Sequence, residues 1–284
     1  FVYYTHLRRC PNLFANLLSL NIFFFETLSS RLQKIDGKDR KALYTTVISG
    51  KCNEAPIVVY FTGHSNSGEN LDKIITQDTD AIVMTDASSS NNGKHKRRSI
   101  HCLTHGRRQF KDIEKNFESE CAHVVSLIGI VYKNDSETRE MSDELRLEYH
   151  QKYSASPMNE LHAWITLKIE NKEVEPNSSL GHAIRYLLKH WEKLTGFLRI
   201  PGAPLDNNLA EQLLRKTVLD RKNFLFYKTE RGAYVGDIHS SVLMTCDKNK
   251  INGYRYQIWL LENRSDVLKN PEKYLPWNFK DPGP

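Results

Sequence analysis

Runs of apolar residues in the first hundred positions predict five β-strands. Three of these runs are rich in β-branched and aromatic residues and are separated by turn sequences, which is typical of an antiparallel meander; they are Ile22–Leu28, Leu43–Ile48 and Ile57–Phe61. The apolar run Ala81–Thr85 predicts a buried fourth strand, and Ser99–Leu103 predicts a fifth. Helical spacing predicts a short helix over Gly68–Ile75 and another over Arg107–Phe117.

From about residue 118 to residue 199 the apolar positions follow a helical period throughout. Four helices are predicted there, each with one buried face: Cys121–Asn134, Ser142–Tyr153, Pro157–Glu170 and Leu180–Thr195. Two further helices are predicted over Val235–Cys246 and Ile251–Leu268, followed by an irregular tail over Pro271–Trp277. The pattern predicts a mixed sheet with flanking helices and a large helical insertion.

The composition is compatible with several classes of function and does not select one of them. The 284 residues include 40 Lys and Arg against 34 Asp and Glu, a net charge of +6 that permits a polyanionic partner but does not require one. Five widely spaced cysteines do not predict a disulfide framework and fit a reducing cytosol. The apolar run Leu13–Phe25 is short for a membrane span, and no small-residue cleavage site follows it. We interpret it as buried structure.

Two acidic residues stand where a fold can hold a carboxylate rigidly. Asp86 directly follows the predicted fourth strand, and Glu211 lies one turn into a predicted helix that follows Asp206-Asn207-Asn208. Taken alone, this helix reads as a capped surface helix with an ion pair between Glu211 and Arg215, four residues apart. Cys102-x-x-His105 could begin a zinc site, but no second pair of Cys or His residues lies at a suitable spacing, so a strand cysteine and a site-lining histidine fit better.

Four segments, taken together in their order along the chain, favour a different interpretation of these residues. They are Asp86 after its strand, Cys102-Leu-Thr-His-Gly-Arg-Arg-Gln-Phe110, Asp206-Asn-Asn-x-x-Glu211 followed by Arg221-Lys-Asn-x-Leu-Phe226, and Leu275-Pro-Trp-Asn278. From about Arg40 to Lys280 the chain resembles the transposases of the insertion-sequence-sixty-six family, which belong to the DDE superfamily. The joined Asp-Asn-Asn-x-x-Glu and Arg-Lys-Asn-x-Leu-Phe blocks are the most specific part of this resemblance.

The resemblance implies an α/β, RNase H-like catalytic core that cuts and joins DNA with two Mg²⁺ or Mn²⁺ ions. It implies metal binding by Asp86 and Glu211, while Asp206, Asn207 and Asn208 cap the helix and shape the site. Contacts to DNA are implied for seven residues, namely His105, Arg107, Arg108, Arg215, Arg221, Lys222 and Asn223. The expected organisation is a first part of the core over 1–117, with its first 25 or so residues diverged, a helical insertion over 118–199, and the catalytic helix with a C-terminal helical region over 200–284.

The first acid of the family motif does not align. Family members carry Asp-Asp-Thr or Asp-Glu-Thr in the first strand, whereas this chain has Phe25-Glu26-Thr27. Because successive strand residues face opposite sides, Glu26 would replace the missing acid only with a shift of one residue or a bulge. Asp36 and Asp39 lie in the expected hairpin loop and are poor substitutes.

Three functions therefore stay open. The chain could be a transposase core in the cytosol that acts on transposon ends and target DNA. It could be an inactive DNA-binding relic that keeps the fold, or an unrelated metal-dependent nuclease that uses Asp86 and Glu211. A homo-oligomer is also left open, and no membrane partner is expected.

Overall fold

The computed structural model describes residues 22–31, 42–52, 55–63, 67–72, 80–87, 94–215 and 229–281. Several predictions lie outside these residues. They concern the loop acids Asp36 and Asp39, the first 21 residues, and the basic run Arg221-Lys222-Asn223 with the apolar residues after it.

Five strands form one sheet. Their bounds are β1, Ile22–Arg31; β2, Ala42–Cys52; β3, Ala55–Gly63; β4, Ile82–Thr85; and β5, Arg98–His101. The order across the sheet is β3-β2-β1-β4-β5. The pairs β1–β2 and β2–β3 are antiparallel, as the meander pattern predicts.

The helices between the sheet and residue 199 stand close to their predicted places. They are α1, Ser67–Asp72; α2, Leu103–Lys111; α3, Glu118–Glu137; α4, Asp143–Tyr153; α5, Ala155–Glu170; and α6, Ser179–Leu194. One prediction is wrong in register: α2 begins four residues earlier than expected, and residues 112–116 are turns. The buried side chains of Leu103 and Phe110 place the helix at its earlier position.

The remaining helices follow the Asp-Asn-Asn segment. Residues 208–215 are helical, and we name this helix α7. The others are α8, Glu230–Lys248; α9, Gly253–Glu262; and α10, Arg264–Lys269. The prediction of a single helix over 251–268 is wrong, because the helix is interrupted at Asn263. The side-chain amide of Asn263 donates a hydrogen bond to the carbonyl of Trp259 at 2.9 Å, where α9 ends.

The chain divides into two compact units. One comprises residues 1–83, 88–98 and 208–284, and the other comprises residues 84–87 and 99–207. The second unit contains helices α2 to α6 and includes residues 99–117 as well as the predicted helical insertion.

In the first unit, the register of the meander separates two apolar faces. Val47 lies opposite Tyr60, and both belong to a cluster with Ala210, Leu213 and Leu214 of α7. The neighbouring pair, Ile48 and Val59, belongs instead to a cluster with residues of α8 and α9, namely Ile238, Val242, Cys246 and Tyr256. Because side chains alternate along a strand, α7 packs on one face of the meander and this second cluster forms on the other.

Helix α8 also closes the outer edge of β3 with a stripe of polar residues. The amides of Val58, Tyr60 and Thr62 donate hydrogen bonds to the side chains of Thr245, Ser241 and Asp237 at 3.1, 2.8 and 2.6 Å. Acceptors four residues apart on a helix advance about 6 Å, close to the advance of two strand residues. The unpaired amides of this edge strand are thereby satisfied, which protects the edge from pairing with another chain.

A partly buried polar cluster stabilises the helices of the second unit. Asp135 accepts a hydrogen bond from Arg146 at 2.6 Å and contacts the His150 ring nitrogen at 3.2 Å. His150 is almost fully buried, and its other ring nitrogen lies 3.0 Å from the Ser154 hydroxyl. These contacts join the end of α3 to α4.

Among the described residues, no helix is both long enough and apolar enough to span a bilayer.

Candidate active site

Asp86 lies where β4 and β5 end side by side. The amide of Cys102, which directly follows β5, donates a hydrogen bond to the carbonyl of Thr85, the last residue of β4, at 3.0 Å. Both strands therefore end at the same edge of the sheet. Asp86 is the next residue after Thr85 and is half-buried, so it directly follows the paired ends of β4 and β5.

The negative charge of Asp86 affects the pKa of Tyr186 on α6. Burial, followed by the negative charge of Asp86, raises the pKa of the Tyr186 hydroxyl to about 12. The Tyr186 ring packs against His190, whose ring in turn packs against His101 at the end of β5. A row of aromatic residues in the second unit thus backs the strand ends that precede Asp86 and Cys102.

Helix α2 begins directly after this edge and carries three of the predicted DNA-contacting residues. His105 and Arg107 are half-buried, and Arg108 is exposed. The Nε atom of Arg107 is buried and has no hydrogen-bond partner within the described ranges. Gly106 lets α2 approach α6 closely, because a Cβ there would lie 2.8 Å from Leu187.

The turn that leads into the Glu211 helix is attached to the same edge. The amide of Leu103 donates to the carbonyl of Leu205 at 2.9 Å, and the amide of Asn207 donates to the sulfur of Cys102 at 3.2 Å. Asn207 is fully buried and directly precedes α7. The second unit therefore brings Asp86, the start of α2 and the Asp206-Asn207 turn to one place, although they are far apart in sequence.

Cys102 has a structural part in this arrangement. Burial raises the pKa of its thiol to about 11, so the sulfur is kept protonated while it accepts the Asn207 amide. A protonated, hydrogen-bonded thiol fits the interpretation of a structural cysteine better than that of a zinc ligand. Cys102, Cys121 and Cys246 are all buried and form no disulfide.

Glu211 belongs to the first unit, on helix α7. Its side chain is half-buried, and the neighbouring Ala210, Leu213 and Leu214 are buried against the β2–β3 surface. The Tyr60 hydroxyl donates to the carbonyl of Leu213 at 2.7 Å, which fixes the helix on β3. Arg215, predicted to contact DNA, is exposed at the end of the described helical residues, and Asn208 is exposed at their start.

The register of β1 bears on the first acid. Glu26 lies opposite Val47, and Phe25 lies opposite Ile48. Phe24, two positions before Glu26, packs against the cluster that contains Val47 and the α7 residues. Since directly opposed residues share a face, position 26 belongs to the sheet face that α7 covers, and position 25 belongs to the other.

Two polar contributors to the site were missed in the sequence. Tyr132 of α3 and Tyr186 of α6 lie in the helical insertion, where apolar spacing predicts only core. The Tyr132 hydroxyl lies 2.7 Å from the Thr104 hydroxyl of α2, and the Tyr186 ring packs against His190, so no pattern of apolar spacing marks them. The tryptophans of the insertion do pack internally, Trp164 against His123 and Trp191 against His162.

Comparison with known proteins identifies the class. The family model described as Transposase IS66 family matches residues 18–235, which is more than half of the chain. The chain therefore belongs to the IS66 family of transposases. An unrelated nuclease does not fit this membership.

Two similar proteins from Sinorhizobium fredii (strain NBRC 101917 / NGR234) carry the names uncharacterized protein y4jD and uncharacterized protein y4hP. The protein y4jD is 32% identical over 183 residues, and y4hP is 28% identical over 196 residues. Each match covers 63% of this chain and 35% of the relative. The chain thus spans about a third of the length of the curated relatives it matches.

Proposed function

We propose that this chain is an RNase H-like transposase catalytic domain that cleaves DNA strands and transfers their ends with the help of divalent metal ions. The observation that carries the proposal is the shared edge where Asp86 follows β4, α2 begins after Cys102, and the Asp206-Asn207 turn leads into the helix of Glu211. Membership of the IS66 family supports DNA as the substrate.

The donor set suits a hard cation. Mg²⁺ and Mn²⁺ prefer carboxylate oxygens, and Asp86 and Glu211 are half-buried acidic residues on backbone that is fixed through hydrogen bonds or packing. These two residues would hold the metal, together with a first acid from β1. When bound, such ions activate a water or a 3′-hydroxyl and stabilise the leaving oxygen in phosphoryl transfer.

We assign the first acid to Glu26. Its register position, opposite Val47, is on the face covered by the helix that carries Glu211. The strand β1 also neighbours β4, which ends next to Asp86. No shift of register is needed in this arrangement, in contrast to the expectation from aligning Phe25 with the family's aspartate.

The chain's own residues would position the DNA. Arg108 is exposed and Arg107 is half-buried on the same helix, so their guanidinium groups would donate to phosphate oxygens beside Asp86. Arg215, Arg221, Lys222 and Asn223 would extend this contact along the DNA backbone. His105, on the same helix as the two arginines, would contact the DNA near the cleaved bond.

A second candidate is a DNA-binding module that does not cleave. The observation in its favour is Phe25 at the position where family members carry the first aspartate. This candidate keeps the salt-dependent binding of DNA but requires no metal.

Nicking of supercoiled plasmid in the presence of Mn²⁺ or Mg²⁺ tests the proposal, and joining of a short duplex to the plasmid tests strand transfer. We expect metal-dependent nicking by the unchanged chain and its loss in Asp86→Asn and Glu211→Gln. The matched controls are Asp80→Asn, an exposed acid just before β4, and Glu262→Gln on α9. DNA binding without any nicking by the unchanged chain would favour the second candidate.

A further inference from the structure

Helix α6 of the second unit carries a stripe of positive charge on its exposed side. Arg185, Lys189 and Lys193 are exposed and follow one another at intervals of four residues, which places them on one face of the helix. The opposite face contains Ile184 and Leu187 and is buried. At a rise of about 1.5 Å per residue the stripe is about 12 Å long, which is close to the length of three or four base pairs of a DNA duplex.

Folding alone does not favour this arrangement of charges. Like charges four residues apart on a helix repel each other and destabilise it. Neither Lys189 nor Lys193 forms an ion pair with a described residue, whereas Lys168 on the neighbouring helix α5 pairs with Glu173 at 2.8 Å. Burial, followed by the charges of Lys189 and Lys193, also lowers the pKa of His190. The stripe therefore concentrates positive charge that an anionic ligand would neutralise.

Two aromatic contacts hold the stripe beside the candidate site. The ring of Tyr186 packs against the ring of His190 at a centroid distance of 5.0 Å, and His190 packs against His101 at 5.1 Å. His101 is the last residue of β5, which ends at the same sheet edge as the strand before Asp86. All these residues belong to the second unit, so α6 and Asp86 are parts of one compact body.

The same tyrosine brings α6 next to the arginines of α2. A Cβ placed at Gly106 would lie 3.9 Å from a ring carbon of Tyr186, and Gly106 directly precedes Arg107 and Arg108. The cations of α2 and those of α6 therefore stand on two helices that pack together at this point. Lys and Arg side chains spaced along neighbouring helices suit the phosphate groups of a nucleic acid, which repeat along the strand.

We propose that the exposed face of α6 binds the phosphate backbone of the duplex DNA that enters the site at Asp86, as a continuation of the surface that carries Arg107 and Arg108. Helix α6 of the insertion then holds the substrate. Contacts of this kind carry no information about bases, so they strengthen binding to all sequences alike. The inference rests on the proposed function only for DNA as the substrate, and it requires neither a metal ion nor cleavage.

The test is the double variant Lys189→Gln with Lys193→Gln, which removes two charges and keeps polar side chains. Fluorescence anisotropy with labelled duplexes of unrelated sequence measures the affinity between about 50 and 200 mM salt. We expect roughly tenfold weaker binding at the lower salt concentration, equal for all duplexes. We also expect the slope of log affinity against log salt to fall by about two, because two phosphate contacts are lost.

Two control variants separate the stripe from the net charge of the protein. Lys133→Gln with Lys152→Gln removes the same charge from exposed positions on α3 and α4 and should leave the slope unchanged. Lys189→Arg with Lys193→Arg keeps both charges and should bind like the unchanged chain. Thermal unfolding checks the fold: removing like charges should not lower the melting temperature of the Lys189→Gln, Lys193→Gln variant.

The outcomes separate this inference from the proposed function. If the unchanged chain binds DNA but the Lys189→Gln, Lys193→Gln variant keeps the full salt slope, the inference is wrong and α6 presents only a solvated face. An equal loss of slope in the Lys133→Gln, Lys152→Gln control would overturn it as well. Binding that depends on α6 without any metal-dependent nicking would support the inference and contradict the proposed cleavage. An unchanged chain that binds no duplex DNA would overturn both.

Discussion

Glu26 lies directly opposite Val47 in the β1–β2 pair, and Val47 is fully buried in the cluster that includes Ala210, Leu213 and Leu214. Phe25, the residue that aligns with the family's first aspartate, lies opposite Ile48 on the other face. Assigning the first acid to position 26 or to position 25 therefore leads to opposite expectations for the variants Glu26→Gln and Phe25→Asp. Measuring the activity of these two variants decides between the two assignments.

We expect Glu26→Gln to lower metal-dependent nicking by about a hundredfold or more, since loss of a metal ligand removes several kcal/mol of transition-state stabilisation. Phe25→Asp should not raise activity. It should lower the free energy of unfolding, because it places an acid on the face of the meander where Ile48 is buried. Plasmid nicking and urea denaturation measure the two effects.

Phe25→Leu is the matched control, because it keeps an apolar residue at the position. A rise in Mn²⁺ affinity and nicking in Phe25→Asp, abolished again by Glu211→Gln, would contradict the assignment of Glu26. It would show instead that position 25 faces the site and that the unchanged chain is an inactive relic.

The strands were predictable because their signals are local. Alternating apolar residues and turn sequences mark β1 to β3, and a short apolar run ending in Asp86 marks β4. The register of β1 was not predictable in the same way. It depends on which residues of β2 face α7, and that is settled by packing between segments more than 160 positions apart.

The polar contacts were hidden for a related reason. Asp237 is separated by 175 positions from Thr62, and the Tyr132 hydroxyl is hydrogen-bonded to Thr104 in a different helix. In the sequence, each of these residues is a single polar position within an apolar helical pattern. Its hydrogen-bond partner is seen only in the folded structure.

The two arginines of α2 offer a test of DNA binding. The double change Arg107→Ala and Arg108→Ala should weaken binding to all duplex sequences alike. It should also reduce the slope of log affinity against log salt by about two, since two phosphate contacts are lost. Fluorescence anisotropy between 50 and 200 mM salt, about the range over which such contacts show, measures both. Arg139→Ala, an exposed arginine after α3, is the control and should leave the slope unchanged.

Stability of the fold should fall in mild acid because of His101. Burial, helped by the positive charges of Lys193 and His190, lowers the pKa of His101 from 6.5 to about 4 in the folded chain. The unfolded chain therefore binds a proton first as the pH falls, and the unfolding free energy should decrease by about 3 kcal/mol between pH 6.5 and pH 4.

The variant His101→Phe isolates this contribution, since it keeps a ring of similar shape beside His190. Urea denaturation at several pH values should show that the variant loses less stability than the unchanged chain below pH 6.5. Parallel losses in the two proteins would assign the acid sensitivity to other groups.

The polar stripe of α8 should matter for stability. Asp237→Ala removes the acceptor of the Thr62 amide and one of two partners of the Thr62 hydroxyl, which also lies 2.9 Å from the Thr45 hydroxyl. A buried donor left without a partner costs about 1–3 kcal/mol, so we expect a loss of that size in the free energy of unfolding. Asp247→Asn, at an exposed position of the same helix, should change stability little. Equal melting temperatures for Asp237→Ala and the unchanged chain would show that water replaces the carboxylate.

The covering of edge strand β3 by α8 has a consequence for truncated products of genes of this family. The strand lies near the start of the chain and its cover lies 181 positions later, counted from Tyr60 to Ser241. A frameshift or stop codon before Glu230 would keep the three meander strands in the product but would remove α8, which leaves the outer amides of β3 open to a neighbouring chain. Shortened products of a decaying mobile element should therefore aggregate through this strand, and cells should clear them instead of accumulating them as soluble fragments.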